Sequence, residues 1–202
     1  MRNPLIITIG REYGSGGRQI GELVAKTLGI AYYDKKLITL AAQKSGLSDE
    51  FIANNEQRVR NGFMQNLAAS AAYSSGFFSS QYLPLSESIF ISEAQVIRDI
   101  AARESAVIVG RCADYILRDR KDCLHVFICS DMASRARRIV ERYGQTQKAP
   151  EKRLAEKDQK RKVYYKNYTG RVWGQAQNYD ICLNSGALGV DTCADMIVQL
   201  CK

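Results

Sequence analysis

The chain has a single histidine, no closely paired cysteines and no long apolar run, and each shortage removes a class of function. The one histidine, His125, lies in Leu124-His125-Val126-Phe127-Ile128, a strand-like run where it reads as structural rather than catalytic. The six cysteines (Cys112, Cys123, Cys129, Cys182, Cys193 and Cys201) include no C-x-x-C pair. That argues against a metal centre and for buried free thiols in a reducing cytoplasm. No apolar stretch approaches the roughly 18 residues a membrane span needs. Met-Arg-Asn-Pro runs directly into a strand-like segment without a signal-peptide pattern. A cytoplasmic protein with no membrane partner is expected. No internal repeat is visible, and low complexity is confined to Ser70–Ser80.

What is present is ordinary in bulk and uneven in detail. The 202 residues are 46% hydrophobic and 25% charged, enough for one domain with a substantial core. The net charge of +8 is concentrated. Residues 132–172 hold 13 Lys and Arg against 4 Asp and Glu, leaving 16 against 17 elsewhere. Such a segment suits either a nucleic acid or a polyphosphate.

The choice between them turns on residues 6–20. The run Ile6-Ile7-Thr8-Ile9 leads into Gly10-Arg11-Glu12-Tyr13-Gly14-Ser15-Gly16-Gly17-Arg18-Gln19, followed by a helical pattern at Ile20, Leu23, Val24 and Leu28. Strand, glycine turn and helix in that order build a nest of backbone N–H groups, an anion site. Residues 11–19 are therefore candidates for binding a nucleotide's phosphates. The consensus G-x-x-x-x-G-K-[ST] places Lys on the β/γ-phosphates and a hydroxyl on Mg²⁺. Here Arg11 stands at the first Gly, Gly17 at the Lys and Arg18 at the hydroxyl. Arg18, in the first helical turn, is the candidate replacement cation. With the hydroxyl gone, the metal ligands are undetermined; Mg²⁺ is expected to be held by phosphates, water and a strand-end acid.

Further strands are expected at Ala31–Tyr33, Ala106–Gly110, Leu124–Cys129 and Asp180–Leu183, after a first at Leu5–Ile9. Helical patterns fall at Arg18–Leu28, Lys35–Lys44, Ser86–Arg103, Ala113–Leu117, Met132–Tyr143, Pro150–Tyr168 and Val190–Cys201. Compact apolar strands alternating with helices predict an α/β fold, a parallel sheet of about five strands flanked by helices. We read a single domain over 1–202, with a helical insertion at about 35–85 and a basic lid at about 143–172. The aromatics near 70–80 suit an acceptor pocket or a homodimer contact.

In such sheets ligands bind beyond the carboxyl ends of the strands. Arg11, Glu12, Asp34, Arg111 and, one turn into a helix, Asp114 all fall there. Asp131 does too, but reads as a helix cap. Arg111 is placed to grip a phosphate with both arms of its fork. Arg135, Arg138 and Arg142 share a helix face. Lys157, Asp158 and Arg161 recur at helical spacing, so Lys157 and Arg161 are candidates to stabilise a transferring phosphoryl group. Asp34, Arg111, Asp114, Asp158 and Arg161 are the candidate acceptor contacts.

Residues 10–20, Tyr33-Asp34-Lys35, Val107–Leu117 and Asn178–Ser185 together resemble the cytidylate kinase-like family of P-loop proteins, over nearly the whole chain. The resemblance implies a nucleoside monophosphate kinase fold with an acceptor-binding insertion and an arginine-rich lid. It also implies transfer of the ATP γ-phosphate to CMP or dCMP with Mg²⁺. Gly110-Arg111 is similar to that family's acceptor motif, and Asp158-Gln159-Lys160-Arg161 to its lid motif. The chain departs from true CMP kinases at Gly17 and at Cys112, where an acidic residue follows Gly-Arg. Two other readings remain: a nucleotide-binding regulator without turnover, and a nucleic-acid-binding protein using the basic segment.

Overall fold

A computed structural model describes residues 5–34 and 85–201. The expected helix at Lys35–Lys44 and the aromatic stretch at Ser70–Ser80 lie outside the described residues. Two compact units divide the chain, one comprising 1–34 with 97–202 and the other 35–96.

The first unit is built on five parallel strands: β1 (Ile6–Arg11), β2 (Ala31–Tyr33), β3 (Ala106–Val109), β4 (Cys123–Cys129) and β5 (Ile181–Asn184), in the order β2-β3-β1-β4-β5. The glycine-loop strand is therefore central, with Ile6 opposite Ala106 on one side and Cys123 on the other. The central strands lack polar alternation because both their faces are covered. One face sets Ile7, Ile9, Val107, Val109, Val126 and Ile128 against Ile20 and Val24 of α1 (Gly17–Leu28). Ile197 and Val198 of α7 (Val190–Leu200) complete that cluster. A fully buried aliphatic side chain contributes about 1.5–3 kcal/mol. A one-residue slip of β1 would exchange its buried isoleucines for the polar Thr8, so the register is strongly set.

Helix boundaries follow local chemistry. α1 stops at Gly29, whose positive φ of 67° lets Ile30 N–H reach back to the Ala25 carbonyl. The helix Leu85–Arg103 (α2) spans the division between the two units, and its Ile97 and Ile100 are buried. The short α3 (Ala113–Ile116) follows β3. The basic segment forms α4 (Met132–Tyr143) and α5 (Pro150–Thr169). Asp131 caps α4 by accepting from Ser134 N–H at 2.8 Å, as its sequence context predicts. Pro150 occupies the first turn of α5, where its missing N–H costs nothing. A short helix, α6 (Ser185–Leu188), and a 3₁₀ turn at Ala176–Asn178 have no counterpart in the periodicity reading. Both are too brief to show a period.

The expectation of buried free thiols needs correcting at Cys182. Cys112 and Cys193 are buried, but Cys182 is exposed. It lies on edge strand β5, where alternate side chains face away from the core. Among the described residues no helix is long and apolar enough to cross a membrane.

Candidate phosphate site at the carboxyl ends of the central strands

The glycine loop forms as its sequence requires. Gly14 and Gly16 adopt φ of 81° and 79°, a region that favours glycine. A Cβ on Gly14 would come within 2.9 Å of the Arg135 carbonyl oxygen. Ser15 is buried, and its hydroxyl donates to the Glu12 carbonyl at 2.9 Å, closing the turn internally. Gly16 caps α1 without a side chain, and the first-turn N–H groups of Gly17, Arg18 and Gln19 find no acceptor among the described residues. Several unpaired donors beside the positive end of a helix dipole form a cradle for an anion.

The basic helices hold this loop in place. Tyr13 N–H donates to Asp158 Oδ1 at 2.7 Å, and Arg138 donates to the Gly14 carbonyl at 2.7 Å. Asp158 is buried and also accepts from Arg135 at 2.5 Å and from Arg161 at 2.9 Å. Glu12 accepts from Ser130 N–H at 3.0 Å and lies 3.6 Å from Arg135 Nε. Tyr13 carries Arg161 over its ring at 5.4 Å and stacks with Tyr143 at 6.3 Å. Leu154, Ile139 and Ala136 pack together beneath it.

The shared face of Arg135, Arg138 and Arg142 is thus only partly open. Arg135 and Arg138 serve the loop, while Arg142 is exposed. Lys157 is exposed. Other cations of the segment are also engaged locally: Lys148 with Glu156 and Arg153 with the Gly144 carbonyl.

A second group of arginines gathers at the ends of β1 and β3. Arg11 crosses from the end of β1 toward Gly110, and its Nη2 lies 3.8 Å from Asp34. Burial, with the neighbouring charges of Arg161 and Arg111, lowers the Arg11 pKa to about 10, so it stays charged at neutral pH. Arg18 is half-exposed and turned toward the β2 side, 3.1 Å from Asp34 and 3.4 Å from Glu22. Asp34 therefore lies between Arg11 and Arg18. Arg111 follows Gly110 in a stretch where Gly110, Arg111 and Cys112 have φ of 81°, 59° and 54°. Two consecutive non-glycine residues in that region store strain of about 1–3 kcal/mol each, a feature that clusters at ligand sites.

Asp114 is placed differently from the other strand-end acids. It is buried and accepts from the Tyr165 hydroxyl at 2.6 Å, tying α3 to α5. Burial raises its pKa, opposed by Tyr165 and His125. His125 itself is hydrogen bonded to Thr8 at 2.8 Å, in keeping with its structural reading.

The sequence pattern assigns no site role to three contributors: Arg135, Arg138 and Tyr165. Arg135 and Arg138 were legible only as a basic face, since nothing local shows which guanidinium turns inward. Tyr165 carried no motif. A sharper signal lay in the loop itself, where the departures at Arg11 and Gly17 occur together.

A model of the cytidylate kinase-like family matches residues 6–187. No curated protein matches the sequence. Among solved structures, an uncharacterised protein from Eubacterium ventriosum is similar at 30% identity and a TM-score of 0.71, covering 98% of both chains. A shikimate kinase from Acinetobacter baumannii, solved with shikimate, is similar at 16% identity and TM-score 0.53, over 98% of this chain and 92% of that one. A gluconokinase from Sinorhizobium meliloti gives 17% and 0.53, over 100% and 95%. The last two establish the α/β P-loop kinase fold.

Proposed function

Since the chain belongs to the cytidylate kinase-like family, we propose that it transfers the γ-phosphoryl group of ATP to a small acceptor, with a pyrimidine monophosphate such as CMP or dCMP the first candidate. The observation that carries this reading is a cradle of unpaired loop N–H groups next to converging arginines. Gly17, Arg18 and Gln19 would hold the donor phosphates through their free backbone N–H groups, while Glu12, Tyr13 and Ser15, whose own N–H groups are already paired, shape the loop around them. Arg11 and Arg18 would flank them, and Arg161 would face the transferring charge, with Lys157 at the exposed rim. Arg111 and Asp34 would orient the acceptor. Phosphoryl transfer makes little covalent demand on a protein, so positioning and electrostatic stabilisation suffice.

Asp114 and Asp158 support the site from behind in this reading. Each is buried, and each ties α5 to the loop or to α3. Mg²⁺ would accompany the triphosphate, held mainly by its oxygens and by water; among the described residues there is no group of three His, Cys, Asp or Glu suited to a metal. The strand-end acid Asp34, which here pairs with Arg18 and Arg11, would take part in holding the ion. Bound there, the ion would supply neutralisation of the β/γ oxygens.

The test is a coupled ADP-release screen over nucleoside monophosphates and small alcohols with MgATP. Turnover on one acceptor class is expected. No turnover on any, with ATP still bound, would favour the second reading, a nucleotide-binding regulator. Gly17 in place of the loop Lys is the observation behind that alternative. Salt-dependent DNA or RNA binding without ATP affinity would favour the third. The internal engagement of Arg135, Arg138, Arg153 and Lys148 weighs against it.

A further inference from the structure

The loop departs from the consensus near both ends, and packing links the two departures. A Cβ on Gly17 would lie 2.5 Å from Arg11 Cβ, 3.1 Å from its Cγ and 3.3 Å from Ile128 Cβ. Those are atoms next to the backbone, which cannot swing aside as the tip of a long side chain can. Any larger residue at 17 would therefore displace Arg11 or the strand that carries it. At its other end, the Arg11 guanidinium covers Gly110, where a Cβ would collide with Nη1. The side chain thus runs with its stem over Gly17 and its head over Gly110.

The head of Arg11 shares the charge environment of Arg161 and Arg111, with Asp34 3.8 Å away on the other side. Arg161 is held by Asp158 at 2.9 Å, but the Arg11 guanidinium makes no hydrogen bond among the described residues, its Asp34 contact at 3.8 Å being too long for one. A polyphosphate supplies the missing acceptor and its negative charge. Arg18 is placed less well for that task, since it is half-exposed and held by Glu22 and Asp34.

We propose that Arg11 and Gly17 form an exchanged pair: the cation that the consensus loop carries at its seventh position is supplied here from the first, and Gly17 is the space that lets it through. Arg11, rather than Arg18, is the phosphate-gripping residue of this loop. The inference rests on the triphosphate reading of the loop given above.

Binding of MgATP and of inorganic tripolyphosphate to the full chain, measured by titration calorimetry, tests it. Arg11→Gln keeps most of the stem and removes the charge. Its affinity for both probes should fall about 10- to 100-fold, the span of a charge-assisted hydrogen bond. Arg18→Gln should lose less than about fivefold, as expected of an exposed contact. Gly17→Lys alone should bind poorly because its side chain meets Arg11. The double exchange R11G/G17K restores the consensus arrangement and should bind more tightly than G17K. Melting temperatures accompany every variant; Gly17→Ala should lower the midpoint in the wild-type background and be tolerated beside Arg11→Gly. The proposal is overturned if Arg11→Gln binds tripolyphosphate within about twofold of wild type, or if Arg18→Gln loses more than Arg11→Gln. It is overturned as well if Gly17→Ala costs the same with and without Arg11. Wild-type protein that binds neither probe would remove the triphosphate reading itself, and this inference with it.

Discussion

Replacing Asp158 by alanine should be among the most damaging single changes to the first unit that leave the glycine loop's own residues untouched. The carboxylate is buried and serves three donors at once: Tyr13 N–H, Arg135 and Arg161. Removing it strands the buried Arg135, whose remaining carboxylate is Glu12 at 3.6 Å. Breaking a buried ion pair from one side costs about 3–5 kcal/mol. The lost acceptor for Tyr13 N–H adds about 1–3 kcal/mol, and Glu12 offsets part of the sum. A net loss of roughly 3–5 kcal/mol is expected, at about 2–4 °C per kcal/mol for a chain of this size. The melting midpoint should therefore fall by roughly 6–20 °C. Added salt should recover little of it, because the stranded Arg135 is buried and shielded from solvent ions. Replacing both partners (R135M/D158L) removes the stranded charge and should recover part of the loss, leaving the cost of the unpaired Tyr13 N–H. Differential scanning calorimetry on wild type, D158A and the double variant decides it. A D158A midpoint within 2 °C of wild type would refute the reasoning, as would a double variant that melts below D158A.

Two further changes probe other parts of the structure. Burial lowers the His125 pKa, so the unfolded chain binds its proton first as pH falls. The stability this contributes is complete above about pH 6.5 and is lost as pH falls toward the folded value. Wild-type melting temperature should therefore fall more steeply between about pH 7 and pH 5.5 than that of His125→Gln; parallel curves would exclude His125 as the cause. Gly110→Ala faces both a φ of 81° and the Arg11 guanidinium. It should lower the midpoint, and Arg11→Ala should restore part of that loss in the double variant; strict additivity in thermal melts would show that the two residues do not touch.

Much of this architecture was legible in sequence, and the reasons are local. Ala31–Tyr33 and Met132–Tyr143 appear with the bounds their patterns predict. Other described elements shift by a residue or two, because helix and strand ends depend on caps and neighbours rather than on period. Asp131 was readable as a cap because capping is a contact within one turn. The loop's anion-binding character was readable because Gly14 and Gly16 between a strand and a helix leave the backbone few alternatives. Contacts across the chain were not readable. Asp158 meets Tyr13 across 145 positions, and no local pattern shows that an acid in a basic helix turns toward a distant backbone amide. The reach of Arg11 to Gly110 escaped for the same reason. Sequence could mark both glycines as small, but not name the side chain that lies on them.

The sheet order has a consequence for how the chain assembles. β1 is made first and occupies the centre, yet its neighbours begin 100 and 117 residues later, at Ala106 and Cys123. At about 5–20 residues per second, synthesis leaves that strand without its partners for roughly 5–20 s. Among the described residues no hairpin can shield it meanwhile, because its pairings with β3 and β4 are both parallel and long-range. Such topologies fold slowly, on a scale of milliseconds to seconds, once the chain is complete. The apolar run that ends at the phosphate cradle is therefore also the segment exposed longest to wrong partners during birth. Its flanking Arg11 and Glu12 put charge beside that hazard from the start.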